Sequence, residues 1–298
     1  MLFRSDPKSW VRTPTGYQGT FYMLPDRGFN VTGTSDYRAR VNKLFITFTP
    51  LDDPAAVLVA ERQSSVAATL TDTILLTDAA GQSLTGLDPD GIRRAANGFP
   101  DLPQASNGRV SIDSESLALL PDGGFFIGDE YGPYVYRFSP AGRLLAAIRP
   151  PEAFLPKRKG KDHFASNNPG PGGRAPEPPE PETGRANNQG FEGLTLTPPG
   201  GKFLVAALQS ATRQDGGRQR GDIPASFITT SPIANARGSC ASTSCRCRCS
   251  RARMGNGGLP PRASCSRSTK RSSFCSAAIP ATVMAPAAPP HAIAASTS

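Results

Sequence analysis

The sequence predicts an all-β protein: an incomplete β-propeller followed by a disordered C-terminal tail. Short apolar runs of strand length, bounded by Gly, Pro, Asp and Asn, occupy residues 16–209. A strand–turn–strand unit occurs twice in that stretch, at an offset of 77 residues. The composition then changes abruptly, because all 24 acidic residues lie at or before Asp222.

Taken in chain order, "GTFYMLPDRG" (19–28) and "NKLFITFTP" (42–50) read as the first strands. Residues 56–68, "AVLVAERQSSVAA", are the best helix candidate, though no long stripe of period 3.6 supports it. In "ESLALLPDGGFFIGDEYGPYVYRFSPAGRLLAAIRP" (115–150), Leu117, Leu119, Phe125, Ile127 and Val135 alternate as strand residues do. "PDGG" and "SPAGR" supply turns, since proline presets φ and glycine adopts positive φ. Residues 157–188 are rich in Pro and Gly, lack apolar periodicity and read as a long exposed loop. "EGLTLTPPGGKFLVAALQ" (192–209) then returns to strands. It repeats the earlier unit: Glu192 matches Glu115, Leu194 matches Leu117, Leu196 matches Leu119, Pro198 matches Pro121, and Phe203 matches Phe126. An acid, a strand, a Pro-Gly turn and a second strand, repeated, is the sequence form of a propeller blade.

The formal charge of +9 would suggest a nucleic-acid partner. Its distribution excludes that reading. Residues 223–298 hold nine Arg or Lys and no acid, so the preceding body is neutral, with 24 basic groups against 24 acids. All six cysteines lie in the tail, from Cys240 to Cys275, partly as "CRCRC". Alternating C-x-C spacing suits one tetrahedral zinc ion poorly, and no disulfide framework is visible. The tail reads as low complexity, with too little apolar surface to offset its ordering entropy. No run reaches the length of a membrane span. The N-terminal "MLFRSDPKSWVR" lacks the apolar core of a signal peptide.

"LPDRGFN", "TSDYRARVNKLFITFTPL", "GDEYGPYVYRF" and "NNQGFEGLTLTPPGGKFLVAALQ" resemble the phytase-like family, described by an esterase-like activity of phytase. The resemblance covers roughly residues 16–218 and then stops. It implies a β-propeller, commonly secreted, that hydrolyses phosphate or carboxylate esters. Back-translated and shifted by one base, "ASTSCRCRCSR" (241–251) permits "EYVVPLPLFE", which resembles how the family continues. The sequence therefore divides into a partial propeller domain, 1–220, and an out-of-frame tail, 221–298, leaving too few blades to close a ring.

The resemblance and the repeat single out the acids at strand ends. Glu115, Asp129, Glu130 and Glu192 are the candidate catalytic carboxylates, Arg27 the candidate substrate-binding residue, and Asp26, Asp129 and Glu130 the candidate metal ligands. Oxygen donors of this kind suit Ca²⁺, which could polarise a phosphoryl or carbonyl ester, while Arg27 could grip a phosphate in a bidentate manner. The competing reading is a non-catalytic binding or scaffold module, with the acids bonding backbone N–H groups to fix loops. His163 and His291 do not suit a Ser-His-Asp triad, and no G-x-S-x-G elbow occurs. A small phosphorylated or ester substrate is the expected partner.

Overall fold

The structure, a computed structural model, describes residues 2–27, 33–50, 65–197, 203–217 and 226–230. All of these fall within the first of two compact units, Met1–Ser250; the second, Arg251–Ser298, lies outside the described residues, as does nearly all of the expected tail.

Apart from two single-turn 3₁₀ helices, every regular element among the described residues is a strand. The first sheet contains β1 (Leu2–Ser5), β2 (Val11–Thr13), β3 (Gly16–Leu24), β4 (Arg40–Phe48) and β5 (Val66–Leu75). Its order is β1-β3-β4-β5, with β2 also paired to β3. The helix expected over 56–68 is corrected where it can be seen: Val66–Ala68 belong to β5 and pair with Thr47 and its neighbours in β4, and residues 51–64 lie outside the described residues. The alternating Thr and apolar residues of "VAATLTDTIL" suit a strand better than a helix.

A short ribbon of β6 (Gly91–Arg93) and β7 (Leu102–Gln104) precedes the second sheet. That sheet is an antiparallel meander of β8 (Ser114–Leu119), β9 (Phe125–Asp129), β10 (Val135–Phe138) and β11 (Leu144–Ile148). After β12 (Lys157–Arg158) and β13 (Lys161–Asp162), the third sheet comprises β14 (Phe191–Leu196), β15 (Phe203–Leu208) and β16 (Ser226–Thr230). β16 falls within the segment expected to be unstructured, yet it pairs antiparallel with β15.

Packing explains the patterning. Phe125 and Ile127 of β9 join Leu24, Val41, Leu117, Tyr136 and Phe138 in one core. Phe126, between them, points the other way and joins Phe191, Leu194, Leu204 and Leu208 in a second core. Strand β9 is thus buried on both faces, which is why "FFI" reads as a continuous apolar run. Successive antiparallel sheets packed face to face, each a local meander, form an incomplete propeller. No closed ring is formed among the described residues.

Residues 157–188 are largely irregular, as their composition suggests, but the segment is exposed only in part. Phe164, Ala165, Ser166, Arg185, Ala186 and Asn187 are all buried. Two buried arginines do for this segment what a strand ladder does elsewhere. Arg185, wholly buried, donates to the carbonyl of Tyr131 at 2.8 and 3.1 Å and to that of Phe164 at 2.5 Å. Arg158 donates to the carbonyls of Pro178 at 2.8 Å and Pro179 at 2.9 Å and to Asn187 Oδ1 at 2.7 Å. Asp88 accepts the Ser166 and Asn168 N–H groups at 2.6 and 2.9 Å. Buried carbonyls need donors, and guanidinium groups supply them without any periodicity in sequence.

Arg185→Ala should therefore cost about 3 kcal/mol, because it strips donors from buried carbonyls. Urea denaturation measures that loss, and limited proteolysis should show new cleavage between residues 157 and 183. An unchanged midpoint with no new cleavage would contradict this account of the segment.

Candidate functional site

Both repeated acids stand at the same structural feature. In the β8–β9 ladder, Ser114 faces Asp129 and Ser116 faces Gly128, so Glu115 is the extra residue of a β-bulge. In the β14–β15 ladder, Phe191 faces Leu208 and Gly193 faces Ala207, so Glu192 is the extra residue there. A bulge re-aims a side chain out of the strict alternation of a strand. The two hairpins thus present equivalent carboxyl groups, and each lies close enough to the other for their charges to interact.

The loops around these bulges interlock. A Cβ added at Gly190 would lie 2.3 Å from the Glu130 Cα, so the "NQGFEGL" and "GDEY" segments meet only because residue 190 has no side chain. The Glu130 N–H donates to the Asp113 carbonyl at 2.9 Å, and the Asp113 N–H donates to Asp129 Oδ1 at 2.9 Å. Asp129 is fully buried, and its carboxylate also accepts the N–H of Tyr131 at 3.2 Å and of Gly132 at 2.7 Å. Its oxygens fix the turn that carries Glu130.

Asp113, immediately before β8, sits at the centre. Arg27 Nε donates to Asp113 Oδ2 at 2.6 Å, and Arg27 Nη2 donates to Asn188 Oδ1. The guanidinium stacks over the Tyr131 ring at 5.6 Å. Only 7% of the Arg27 side chain is exposed, so the residue expected to grip substrate is itself engaged within the site. Asp26, Asp113 and Glu115 bring carboxylate oxygens within 4.8 Å of one another. Asp113 Oδ1 and both oxygens of Glu130 are buried and receive no N–H donor among the described residues, and the Asp113 and Glu130 carboxyl groups lie within hydrogen-bond reach of each other.

The electrostatics follow from crowding and burial. Burial pushes the Glu130 carboxyl up to about 9, with Asp113, Glu115 and Glu192 adding to the effect. Glu115 rises to about 8, through burial and then through Asp113, Glu192 and Asp26. Glu192 is raised by burial and by Asp113 and Asp26, and Asp113 by burial against the pull of Arg27. Such a set fits a metal ion: every donor is a hard oxygen, the buried Asp113 and Glu130 oxygens have no N–H donor among the described residues, and a cation would relieve the mutual repulsion.

A family model described as "Phytase-like: Esterase-like activity of phytase" matches residues 13–237. The chain belongs to the phytase-like family. The matched span runs past residue 220, in keeping with β16. An "Uncharacterized secreted protein" of Arthroderma benhamiae is 41% identical over 228 residues, which cover 71% of this chain and 44% of that protein. The chain therefore spans less than half the length of that relative. No helix among the described residues is long and apolar enough to cross a membrane.

Of the residues singled out in the sequence, Asp26, Glu115, Glu130, Glu192 and Arg27 come together, and Asp129 lies beneath them as an anchor for backbone N–H groups. Asp113 and Asn188 were missed. Asp113 stands two residues before the repeat begins, and Asn188 lies within a motif noted only for its resemblance.

Glu115 and Glu130 keep protons in the folded state well above their ordinary value of 4.5, to about 8 and about 9. The native state then binds more protons than the unfolded chain across that interval. The stability they contribute is complete below about 4.5 and is lost as pH rises through 8 to 9. Denaturation midpoints in chelator should accordingly fall from mildly acidic to alkaline pH, and a divalent cation should restore them. A midpoint that rises over that interval in chelator would refute the charge assignment.

Proposed function

We propose that the chain carries the centre of a metal-assisted hydrolase of phosphate or carboxylate esters, with Ca²⁺ as the ion. The observation that supports this is the convergence of Asp26, Asp113 and Glu115, with Asp113 buried against a second carboxyl group, Glu130, and no N–H donor on its Oδ1 among the described residues. These three carboxylates would hold the ion, with Glu130 beside Asp113. When bound, the ion supplies a Lewis acid for a phosphoryl or carbonyl oxygen.

The remaining steps belong to the protein's own groups. Arg27 holds one oxygen of Asp113, and the same carboxyl group meets Glu130. Asp129 fixes the turn behind it. Glu192, half-buried in its bulge, is the carboxyl best placed to pass a proton to or from a substrate oxygen, since it shares the cluster's field without belonging to the tightest set. The ester class comes from membership of the phytase-like family. The secreted relative supports an extracellular setting, where Ca²⁺ is abundant. The loop-fixing alternative describes Asp129 well, but it leaves Asp113 Oδ1 and Glu130 bonded only to each other, as a buried carboxyl–carboxylate pair that touches no loop N–H group among the described residues through these oxygens.

Hydrolysis of p-nitrophenyl phosphate and p-nitrophenyl acetate by the purified chain, with calcium and with chelator, tests the reading and separates the two ester classes. Glu192→Gln should lower kcat about 100-fold with calcium affinity retained, whereas Asp113→Asn should lose calcium binding and turnover together. Tight calcium binding with no hydrolysis of either ester would assign the centre to a structural ion instead.

A further inference from the structure

We propose that Asn188 is a positioning residue for the carboxylate centre, acting through Arg27 to hold Asp113 in the orientation that an ion requires. The inference rests on the reading of Asp26, Asp113 and Glu115 as an ion site. Asn188 adopts a left-handed conformation, with φ of 51°, in the loop that leads into β14. The chain on either side of it is pinned. Asn187 is buried, accepts from Arg158 at 2.7 Å and donates from Nδ2 to the Pro179 carbonyl at 2.8 Å. Gly190 packs against the backbone of Glu130, and its carbonyl accepts the Gln209 N–H at 2.9 Å. The Asn188 amide therefore projects from a fixed base rather than from a free loop tip.

Its Oδ1 accepts from Arg27 Nη2. A guanidinium is planar and rigid, so fixing Nη2 at one corner and stacking the face on Tyr131 sets the direction of Nε. Nε then holds Asp113 Oδ2 at 2.6 Å. With that oxygen held, the Asp113 carboxylate stays in the set shared with Asp26 and Glu115 and faces the Glu130 carboxyl, whose proton an ion would displace. Without Asn188 that corner of the guanidinium loses its acceptor, and the Nε–Asp113 bond loses one of the contacts that set its direction. Partners of metal ligands act in this way elsewhere, and their loss weakens metal affinity about 10–100-fold.

The test uses the full chain and Ca²⁺ itself, with affinity read by calorimetry and stability by thermal melting in chelator. Asn188→Gly removes the amide but suits the positive φ. It should weaken Ca²⁺ binding by tenfold or more while melting in chelator is unchanged. Asn188→Asp retains the acceptor for Arg27 and should recover most of the affinity. Ca²⁺ binding by wild type that is equal in Asn188→Gly overturns the positioning role and leaves the ion site standing. A melting temperature in chelator that falls in parallel with affinity also overturns it, because Asn188 would then serve the fold alone. Absence of Ca²⁺ binding by wild type removes the ion site and this inference together.

Discussion

Crowded carboxyl groups are the constraint around which this protein is arranged. Asp26, Asp113, Glu115, Glu130 and Glu192 share one small region, and Arg27 is ion-paired within it. Repulsion and desolvation both oppose such a set, so it persists only where the scaffold over-determines it. Several features supply that rigidity. Two bulges aim Glu115 and Glu192, the Asp129 carboxylate ties three backbone N–H groups into one turn, and a bare Gly190 lets two loops touch. The apolar cores on either face of the second sheet hold the hairpins in place behind them.

Strands built from local meanders were legible because their pattern is local. Phe125, Phe126 and Ile127 announce a strand buried on both sides, and the Pro-Gly turn between Leu120 and Phe125 announces its hairpin. The repeat carried further. An equal offset from the turn placed Glu115 and Glu192 at matching positions, and the ladders show them at matching bulges. The segment 157–188 was illegible for the opposite reason. Its order comes from Arg158, Arg185 and Asp88 bonding main-chain groups distant in sequence, and such bonds leave no period.

The site was legible in its members and not in their roles. A carboxylate at a strand end can face an ion or bond the backbone, and the residue type is the same in both cases. Asp129 and Glu130 are neighbours in sequence, yet one oxygen of Asp129 accepts two N–H groups and neither oxygen of Glu130 accepts any among the described residues. Asp113 could not be weighted from spacing alone, since its importance comes from Arg27, 86 residues earlier in the chain.

The dependence of the 157–188 segment on Arg185 also sets an order of assembly. Arg185 bonds the carbonyl of Tyr131, which exists as a fixed acceptor only once the β9–β10 hairpin has formed. Hairpins of nearby strands form quickly, because little loop entropy is lost in closing them. The intervening segment docks afterwards, and Asn188 and Gly190 follow directly from it. Asp113, Glu115, Asp129 and Glu130 are already gathered by the β8–β9 hairpin, so what the docking adds to the centre is Asn188 and, through the Gly190 contact, the approach of the bulge that carries Glu192.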